Sequence, residues 1–181
     1  WVKSKGKREK AKLLLRTHTS SVQIRYMEEK VRKGIPPPYR IVVPGKVFRN
    51  EATDATHEAQ FFHVEGLCVD TDASMARLKW TLVHFFKEFF GSDVAGVRFR
   101  LSFFPFTEPS AEVDMEWKGK WLEMGGAGLV HPKVLQAVGL NAKKYRGFAF
   151  GVGLDRLLML RHGIPDVRLF YNGDLRVVSQ F

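Results

Sequence analysis

The stretch GKVFRNEATDATHEAQFFHVEGLCVD, residues 45–70, combines two strand-forming segments with an unusual set of charged side chains. Both ends carry the aromatic and β-branched residues that favour β-strands, and the polar middle, ATDATHEAQ, predicts the loop that joins them. A hairpin that only packed a core would carry fewer charges along its strands. The arginine, the carboxylates and the two histidines of this hairpin therefore indicate a binding surface.

The period of a strand predicts which of these side chains share a face. Side chains at positions i and i+2 point the same way. Arg49 and Glu51 are thus expected on one face of the first strand, and Phe61, His63 and Glu65 on one face of the second. If the two faces coincide, one sheet surface displays a guanidinium, an imidazole, two carboxylates and an aromatic ring. An exposed face with cross-strand ion pairs is the alternative, but it does not explain the long polar loop.

The segments on either side of the hairpin predict helices and strands in turn. Residues 20–34 predict a helix, and residues 39–51 predict two short strands broken at Pro44-Gly45. After the hairpin, an amphipathic helix is expected, capped by Thr71 or Asp72 and ended by Gly91. Further strands are predicted at residues 96–103, 111–117, 120–130 and 147–153, with helices at 131–139 and 154–163. The pattern predicts an α+β domain with an antiparallel β-sheet of about six strands flanked by helices.

Composition and charge narrow the class of protein. The 181 residues are 45% hydrophobic, which fits one globular domain with a sizeable core, and no window approaches 18 uninterrupted apolar residues, so no membrane contact is expected. The single cysteine, Cys68, excludes an intrachain disulfide and is compatible with a reducing, cytoplasmic location.

The net charge of +10 is concentrated at the N-terminus, where residues 1–33 hold eleven Lys and Arg against three Glu. Residues 1–12 are interpreted as a basic leader, expected to be truncated from a longer N-terminal region. Such a segment favours a polyanionic partner, although a solvated leader explains it equally well.

Two further segments are candidates for binding. The first is the segment FFPFTEPS, residues 103–110. If its strand continued through Pro105, Phe104 and Phe106 would lie on one face, with Glu108 at the rim of a binding slot. The alternative is a core strand that meets a turn. In GFAFGVGLDRLLML, Gly151 precedes a helix that carries Arg156 on its first turn. This arrangement suits phosphate binding, but taken alone it favours packing over binding.

Five segments in order carry a resemblance to a known family: RTHTSSVQIR, GKVFRNEATDATHEAQFFHVEG, FRLSFFPFTEPSAEVD, WLEMGGAGLVHPKVL and GFAFGVGLDRLLMLRHGIPDVRLFYNGDLR. Together they resemble the catalytic domain of the bacterial-type phenylalanyl-tRNA synthetase alpha subunits, which are class II aminoacyl-tRNA synthetases. The resemblance covers residues 13–181 and includes motifs 2 and 3. Motif 1 and the N-terminal coiled coil of the family are missing, so the chain is expected to be the C-terminal piece of a longer subunit.

The resemblance implies an enzyme that activates L-phenylalanine with ATP and transfers it to the 3′ end of tRNA(Phe). It also implies Mg²⁺ as a cofactor and a beta subunit as partner in an α2β2 heterotetramer. Two alternatives remain open: a synthetase of this class for another amino acid, and a non-catalytic paralogue that binds RNA or protein.

For ATP, the resemblance implies two catalytic arginines, with Arg49 on the α-phosphate and Arg156 on the γ-phosphate. His57 would reach the outer phosphates, Phe61 would stack on adenine, and Glu51 would accept a hydrogen bond from its amine.

For the other ligands, the resemblance implies that Glu108 takes part in Mg²⁺ binding and that Glu65 meets the ammonium group of phenylalanine. His63 stands where the family usually has Gln. The implied phenylalanine pocket consists of His18, Ser20, Gln23, His63, Glu65, Phe104, Phe106, Thr107, Ala149 and Gly151.

Overall fold

A computed structural model describes residues 14–180, so the predicted leader at residues 1–12 lies outside the described residues. Six strands form one antiparallel sheet in the order β1-β2-β6-β5-β4-β3. The strands are β1 Tyr39–Phe48, β2 Gln60–Asp70, β3 Val94–Phe104, β4 Thr107–Trp117, β5 Lys120–Val130 and β6 Arg146–Gly153. The predicted α+β fold with an antiparallel sheet of six strands is confirmed.

Five α-helices and two short 3₁₀ helices flank the sheet in the described part of the chain. The α-helices are α1 Ser20–Arg32, α2 Met75–Phe90, α3 Pro132–Ala137, α4 Leu154–His162 and α5 Leu175–Val178. The 3₁₀ helices are Gly91–Asp93 and Val167–Phe170. Within residues 14–180, no helix is long and apolar enough to cross a membrane.

The prediction of two strands broken at Pro44-Gly45 is wrong, because β1 runs through both residues without a break. β1 lies at the edge of the sheet and pairs only with β2, with Pro44 opposite Val64. Proline has no N–H to donate, and an edge strand tolerates this because one side of it needs no partner.

Helix α2 begins later than predicted. Its N-cap is Ser74, whose hydroxyl accepts a hydrogen bond from the N–H of Arg77, while Asp72 forms an ion pair with the Arg77 guanidinium instead of capping. The helix ends at Gly91, whose φ of +67° is the left-handed conformation that glycine adopts without strain. Its inward face buries Leu78, Leu82, Phe86 and Phe90, and Phe85 and Phe89 are partly buried beside them.

Each face of the sheet packs on its own hydrophobic cluster. The first face carries Cys68, which is buried as expected for a small apolar residue, and burial raises the pKa of its thiol. The second face carries Leu67 and packs against α1 and α3. The first cluster includes Leu78, Leu82, Phe86, Met115, Val152 and Leu157, and the second includes Met27, Tyr39, Leu67, Val69 and Leu135.

Candidate active site

A cavity of about 460 Å³ opens on the second face of the sheet. A row of paired residues crosses its floor: Glu65 on β2 lies opposite Gly151 on β6, which lies opposite Gly126 on β5. A Cβ atom at Gly151 would come within 2.6 Å of the His63 ring, and one at Gly126 within 2.7 Å of the Phe104 ring. Both positions need glycine because side chains of the cavity lie directly over the backbone.

The fold brings all ten residues of the predicted phenylalanine pocket to this one cavity. Five of them come from residues 18–23 and β2, and the other five from the β3–β4 turn and β6. Arg49 also lines the cavity, so a predicted ATP residue adjoins the predicted amino-acid pocket. The lining residues are His18, Ser20, Gln23, His63, Glu65, Phe104, Phe106, Thr107, Ala149 and Gly151, with Arg49.

Sequence reasoning missed the apolar part of the lining, which α1, α3, β2 and β5 supply. Helix and strand periodicity mark these residues as inward-facing, but they do not distinguish a cavity wall from an ordinary core. They include Ile24, Met27, Leu67, Val130 and Val134.

Two aromatic rings form one wall of the cavity. The predicted continuation of the strand through Pro105 is wrong. β3 ends at Phe104, and a turn leads into β4. The turn still brings the rings of Phe104 and Phe106 together, with their centroids 6.1 Å apart and an interplanar angle of 11°. Phe106 is 41% exposed and contacts the His18 ring, so it lies at the mouth of the cavity.

Glu65 is the buried carboxylate of the site, with 4% of its surface exposed. It accepts hydrogen bonds from the Thr19 N–H (2.9 Å), the Ser20 hydroxyl (2.6 Å) and the Gln23 side-chain amide (2.7 Å). Burial alone would raise the pKa of Glu65, but interactions with His63, Ser20 and Thr19 outweigh it and hold the pKa below its usual range. Glu65 therefore fastens the start of α1 to the sheet as an ionised group.

His63 lies beside this carboxylate. Its Nδ1 atom is 3.5 Å from Glu65 Oε1, a geometry that falls short of a hydrogen bond, and among the described residues Nδ1 has no hydrogen-bond partner. The ring meets Phe61 edge to face at 6.3 Å. The cavity thus contains an ionised carboxylate and an imidazole with unused hydrogen-bonding capacity.

The prediction that side chains of the two hairpin strands share one face is confirmed for the residues within β1 and β2. Val47 pairs with Phe61, and Gly45 with His63, so the two sets of side chains share one face. Arg49 and Glu51 lie beyond the end of β1. The guanidinium of Arg49 still sits 4.9 Å from the centroid of the Phe61 ring, whereas Glu51 is exposed in the loop and does not line the cavity. The expectation that Glu51 belongs to the strand face is therefore wrong.

The loop between β1 and β2 holds His57 in a tight turn. Asp54 accepts hydrogen bonds from the backbone N–H groups of Thr56 (2.7 Å) and His57 (2.8 Å), and its Oδ2 atom lies 3.0 Å from the His57 Nδ1 atom. Hydrogen bonds from Thr56 and His57 lower the pKa of Asp54 well below its usual range. The turn leaves Nε2 of His57 as the ring nitrogen that is not held by Asp54.

Arg156 lies on the first turn of α4, as predicted, and its Nε atom is buried without a hydrogen-bond partner among the described residues. The neighbouring Asp155 was missed. It is buried, and it accepts hydrogen bonds from the Tyr171 hydroxyl and from the Phe62 N–H (3.4 Å). Burial raises the pKa of Asp155. An acidic residue in a first helical turn is ordinary, so the sequence contained no signal for this contact.

Glu108 is exposed and lies outside the cavity lining, with its Oε2 atom 3.2 Å from His131 Nε2. His131 caps α3, because its Nδ1 atom accepts a hydrogen bond from the Lys133 N–H (3.1 Å). In residues 14–180, no group of three or more His, Cys, Asp or Glu is placed to hold a metal ion. Glu108 therefore offers one carboxylate that belongs to no such group.

Comparisons with known proteins define the class of protein. The family model described as tRNA synthetases class II core domain (F) matches residues 1–181, so the chain belongs to the class II tRNA synthetase core family. A solved structure of pyrrolysyl-tRNA synthetase from Desulfitobacterium hafniense shares the fold, with a TM-score of 0.66 at 19% identity over 88% of this chain and 54% of that one.

The similar curated proteins are more specific. The chain is 55% identical over 168 residues to the phenylalanine–tRNA ligase alpha subunit of Prochlorococcus marinus (strain MIT 9312), covering 93% of this chain and 47% of the relative. It is 52% identical over 193 residues to that of Dehalococcoides mccartyi (strain CBDB1), covering 100% and 54%. The chain thus spans about half the length of these relatives. The resemblance to this alpha-subunit family is confirmed.

Proposed function

We propose that the chain is the catalytic part of a phenylalanine–tRNA ligase alpha subunit. It activates L-phenylalanine with ATP and transfers the phenylalanyl group to the 3′ end of tRNA(Phe). The observation that carries this proposal is the cavity, in which an aromatic wall, an ionised carboxylate and Arg49 surround a space suited to an aromatic amino acid. The identity of 52–55% to curated alpha subunits supports the same assignment.

The aromatic ring and the ammonium group of phenylalanine need different surroundings. The ring of phenylalanine would lie against Phe104 and Phe106, which offer the faces and edges that aromatic pairs prefer. The ammonium group would lie beside Glu65, and the free nitrogen of a neutral His63 would accept one of its hydrogen bonds. Ala149 and Gly151 would leave the volume for the ring.

In the first step, the phenylalanine carboxylate attacks the α-phosphate of ATP, and pyrophosphate leaves as the phenylalanyl-adenylate forms. In the second step, a ribose hydroxyl of the tRNA 3′-adenosine attacks the acyl carbon, the ester forms, and AMP leaves. Both reactants of the first step are anions, so the site must neutralise charge and align the reacting atoms. Arg49 would neutralise the α-phosphate and Arg156 the γ-phosphate.

The remaining nucleotide contacts follow from the hairpin and its loop. Phe61 would stack on adenine, Glu51 would accept from its amine, and His57 would reach the outer phosphates. Glu51 is exposed in the loop, so its carboxylate is accessible to a nucleotide base.

Mg²⁺ would neutralise phosphate charge in this reaction. The described residues fit it only as a partial site, because Glu108 supplies one carboxylate of the hard-oxygen type that Mg²⁺ prefers. Phosphate oxygens, water and groups outside this chain would complete the coordination.

A beta subunit and tRNA(Phe) are the proposed partners, in an α2β2 heterotetramer, and the cytoplasm is the proposed location. The curated relatives are alpha subunits, which supports a second kind of subunit. The basic residues 1–33 would favour contact with a polyanion such as tRNA.

The function is tested by phenylalanine-dependent exchange of pyrophosphate into ATP, measured with the complete alpha chain co-expressed with a beta subunit. We expect exchange with phenylalanine and at least tenfold weaker exchange with leucine. Exchange that is stronger with another amino acid would support a synthetase of different specificity. No exchange with any amino acid would support a non-catalytic paralogue.

Ala149→Gly is expected to deepen the pocket and admit para-substituted phenylalanines. Removing this methyl group frees space on the cavity face of β6, so the kcat/KM ratio for para-chlorophenylalanine over phenylalanine should rise at least tenfold in the exchange assay. Ala111→Gly is the matched control, because Ala111 is a buried residue of β4 that does not line the cavity. An unchanged ratio in Ala149→Gly would contradict the assigned pocket floor.

A further inference from the structure

Residues 166–171, here called the bridging segment, contact two separate parts of the proposed nucleotide site. At one end, the Val167 N–H donates a hydrogen bond to the Ala55 carbonyl oxygen in the β1–β2 loop (2.9 Å). At the other end, the Tyr171 hydroxyl donates to Asp155 on the first turn of α4. Val167 is 3% exposed, so the segment is anchored in the fold between these two contacts.

The loop end of the bridging segment holds the turn that carries His57. Ala55 lies inside that turn, between Asp54 and the backbone N–H groups bonded to it. The pKa of Arg168 is raised chiefly by its hydrogen bonds with Asp166 and further by the nearby carboxylates of Asp54 and Glu58. The bridging segment therefore faces the loop with a cation as well as a backbone hydrogen bond.

The helix end of the bridging segment holds the residue next to Arg156. One oxygen of Asp155 receives both the Tyr171 hydroxyl and the Phe62 N–H of β2, so α4, β2 and the bridging segment meet at this atom. Burial raises the pKa of Tyr171, and its hydrogen bond with Asp155 adds to this effect. Arg156 Nε has no hydrogen-bond partner in the part of the chain that the structure describes. Arg156 follows Asp155 on the first turn of α4, so the contacts of Asp155 hold the turn that carries the Arg156 guanidinium.

We propose that Tyr171 is a positioning residue for ATP, which acts through Asp155 to hold Arg156 in line with the His57 loop. The bridging segment then fixes the distance between two groups that approach the same phosphate chain from different elements. This inference rests on the proposed function, because Arg156 and His57 act on ATP only in a synthetase. It concerns the nucleotide alone, since none of residues 166–171 lines the cavity for the amino acid.

The test is Tyr171→Phe in the complete alpha chain with its beta subunit, by pyrophosphate exchange at varied ATP and at varied phenylalanine. Loss of a hydrogen bond to a carboxylate that places a phosphate ligand should raise the KM for ATP about tenfold. The KM for phenylalanine should change less than twofold. An unchanged KM for ATP, or an equal rise in both KM values, would overturn the proposal.

Further variants keep the outcome interpretable. Asp155→Ala should raise the KM for ATP at least as much as Tyr171→Phe, because it also removes the acceptor of the Phe62 N–H. The double variant should be no worse than Asp155→Ala alone, because the Tyr171 contact is already lost in that variant. Asp155→Asn keeps an oxygen acceptor for Tyr171 and should restore a KM within threefold of wild type; additive effects or no restoration would count against the proposal. Tyr145→Phe, beside the second hydrophobic cluster, is the control and should leave the KM for ATP within twofold of wild type.

The exchange assay separates a failure of this inference from a failure of the proposed function. If the wild type itself shows no exchange, the proposed function fails. If the wild type is active and Tyr171→Phe leaves the KM for ATP unchanged, this inference alone is refuted.

Discussion

Arg49→Ala is expected to lower kcat/KM for ATP in pyrophosphate exchange on the order of 10²–10³-fold. Arg49 lines the cavity next to the proposed nucleotide site, and its guanidinium lies over the Phe61 ring. Without it, two anions would have to meet with no arginine from this part of the hairpin beside them. A planar guanidinium also contacts two phosphate oxygens at once, so Arg49→Lys should restore only part of the activity.

The matched control for Arg49 is an arginine at the other end of β1. Arg40 is exposed and forms an ion pair with Asp70 at 3.4 Å, away from the cavity. Arg40→Ala should therefore change kcat/KM less than twofold. If Arg49→Ala kept exchange within threefold of wild type, the role of Arg49 on the α-phosphate would be refuted.

Glu65→Gln is expected to lower kcat/KM for phenylalanine about 100-fold and the free energy of unfolding by about 1–3 kcal/mol. Three donors, from Thr19, Ser20 and Gln23, meet the two carboxylate oxygens. A glutamine has one acceptor oxygen and one NH₂ group, so at least one donor would face another donor. The substrate ammonium would also lose its anionic partner.

The control for Glu65 is Glu112→Gln. Glu112 lies in the same row of the sheet, opposite Gly126, but outside the cavity, where it pairs with Arg100 and Ser102. Its substitution should leave the KM for phenylalanine within twofold. An equal loss in both variants would show that Glu65 acts only through general stability.

The Glu65 variant also has a defined pH dependence. The pKa of Glu65 is depressed in the folded protein, so its contribution to stability is fully present above its usual value of 4.5 and is lost as the pH falls through the lower folded value. Urea unfolding at pH 7 and pH 4 should therefore show a smaller acid loss of stability in Glu65→Gln than in wild type. An identical loss in both proteins would contradict an ionised, buried Glu65.

The strand and helix pattern was predictable because it depends on local periodicity. The two-residue period placed Phe61, His63 and Glu65 on one face, and the pairing with Val47, Gly45 and Val43 shows that face to be shared. The same reasoning failed for Glu51, since periodicity cannot show that β1 ends at Phe48. It also failed for Pro44, because only the sheet order reveals that β1 is an edge strand.

The sequence by itself determined the family, the α+β class and the identity of the ten residues that meet in the cavity. It did so because long motifs and local periodicity are properties of the chain alone. Only the tertiary structure decided what holds those residues in place. The donors to Glu65 lie 42–46 positions before it, and Phe62 lies 93 positions before Asp155. Such contacts arise when separate elements pack together, and no local pattern in the sequence encodes them.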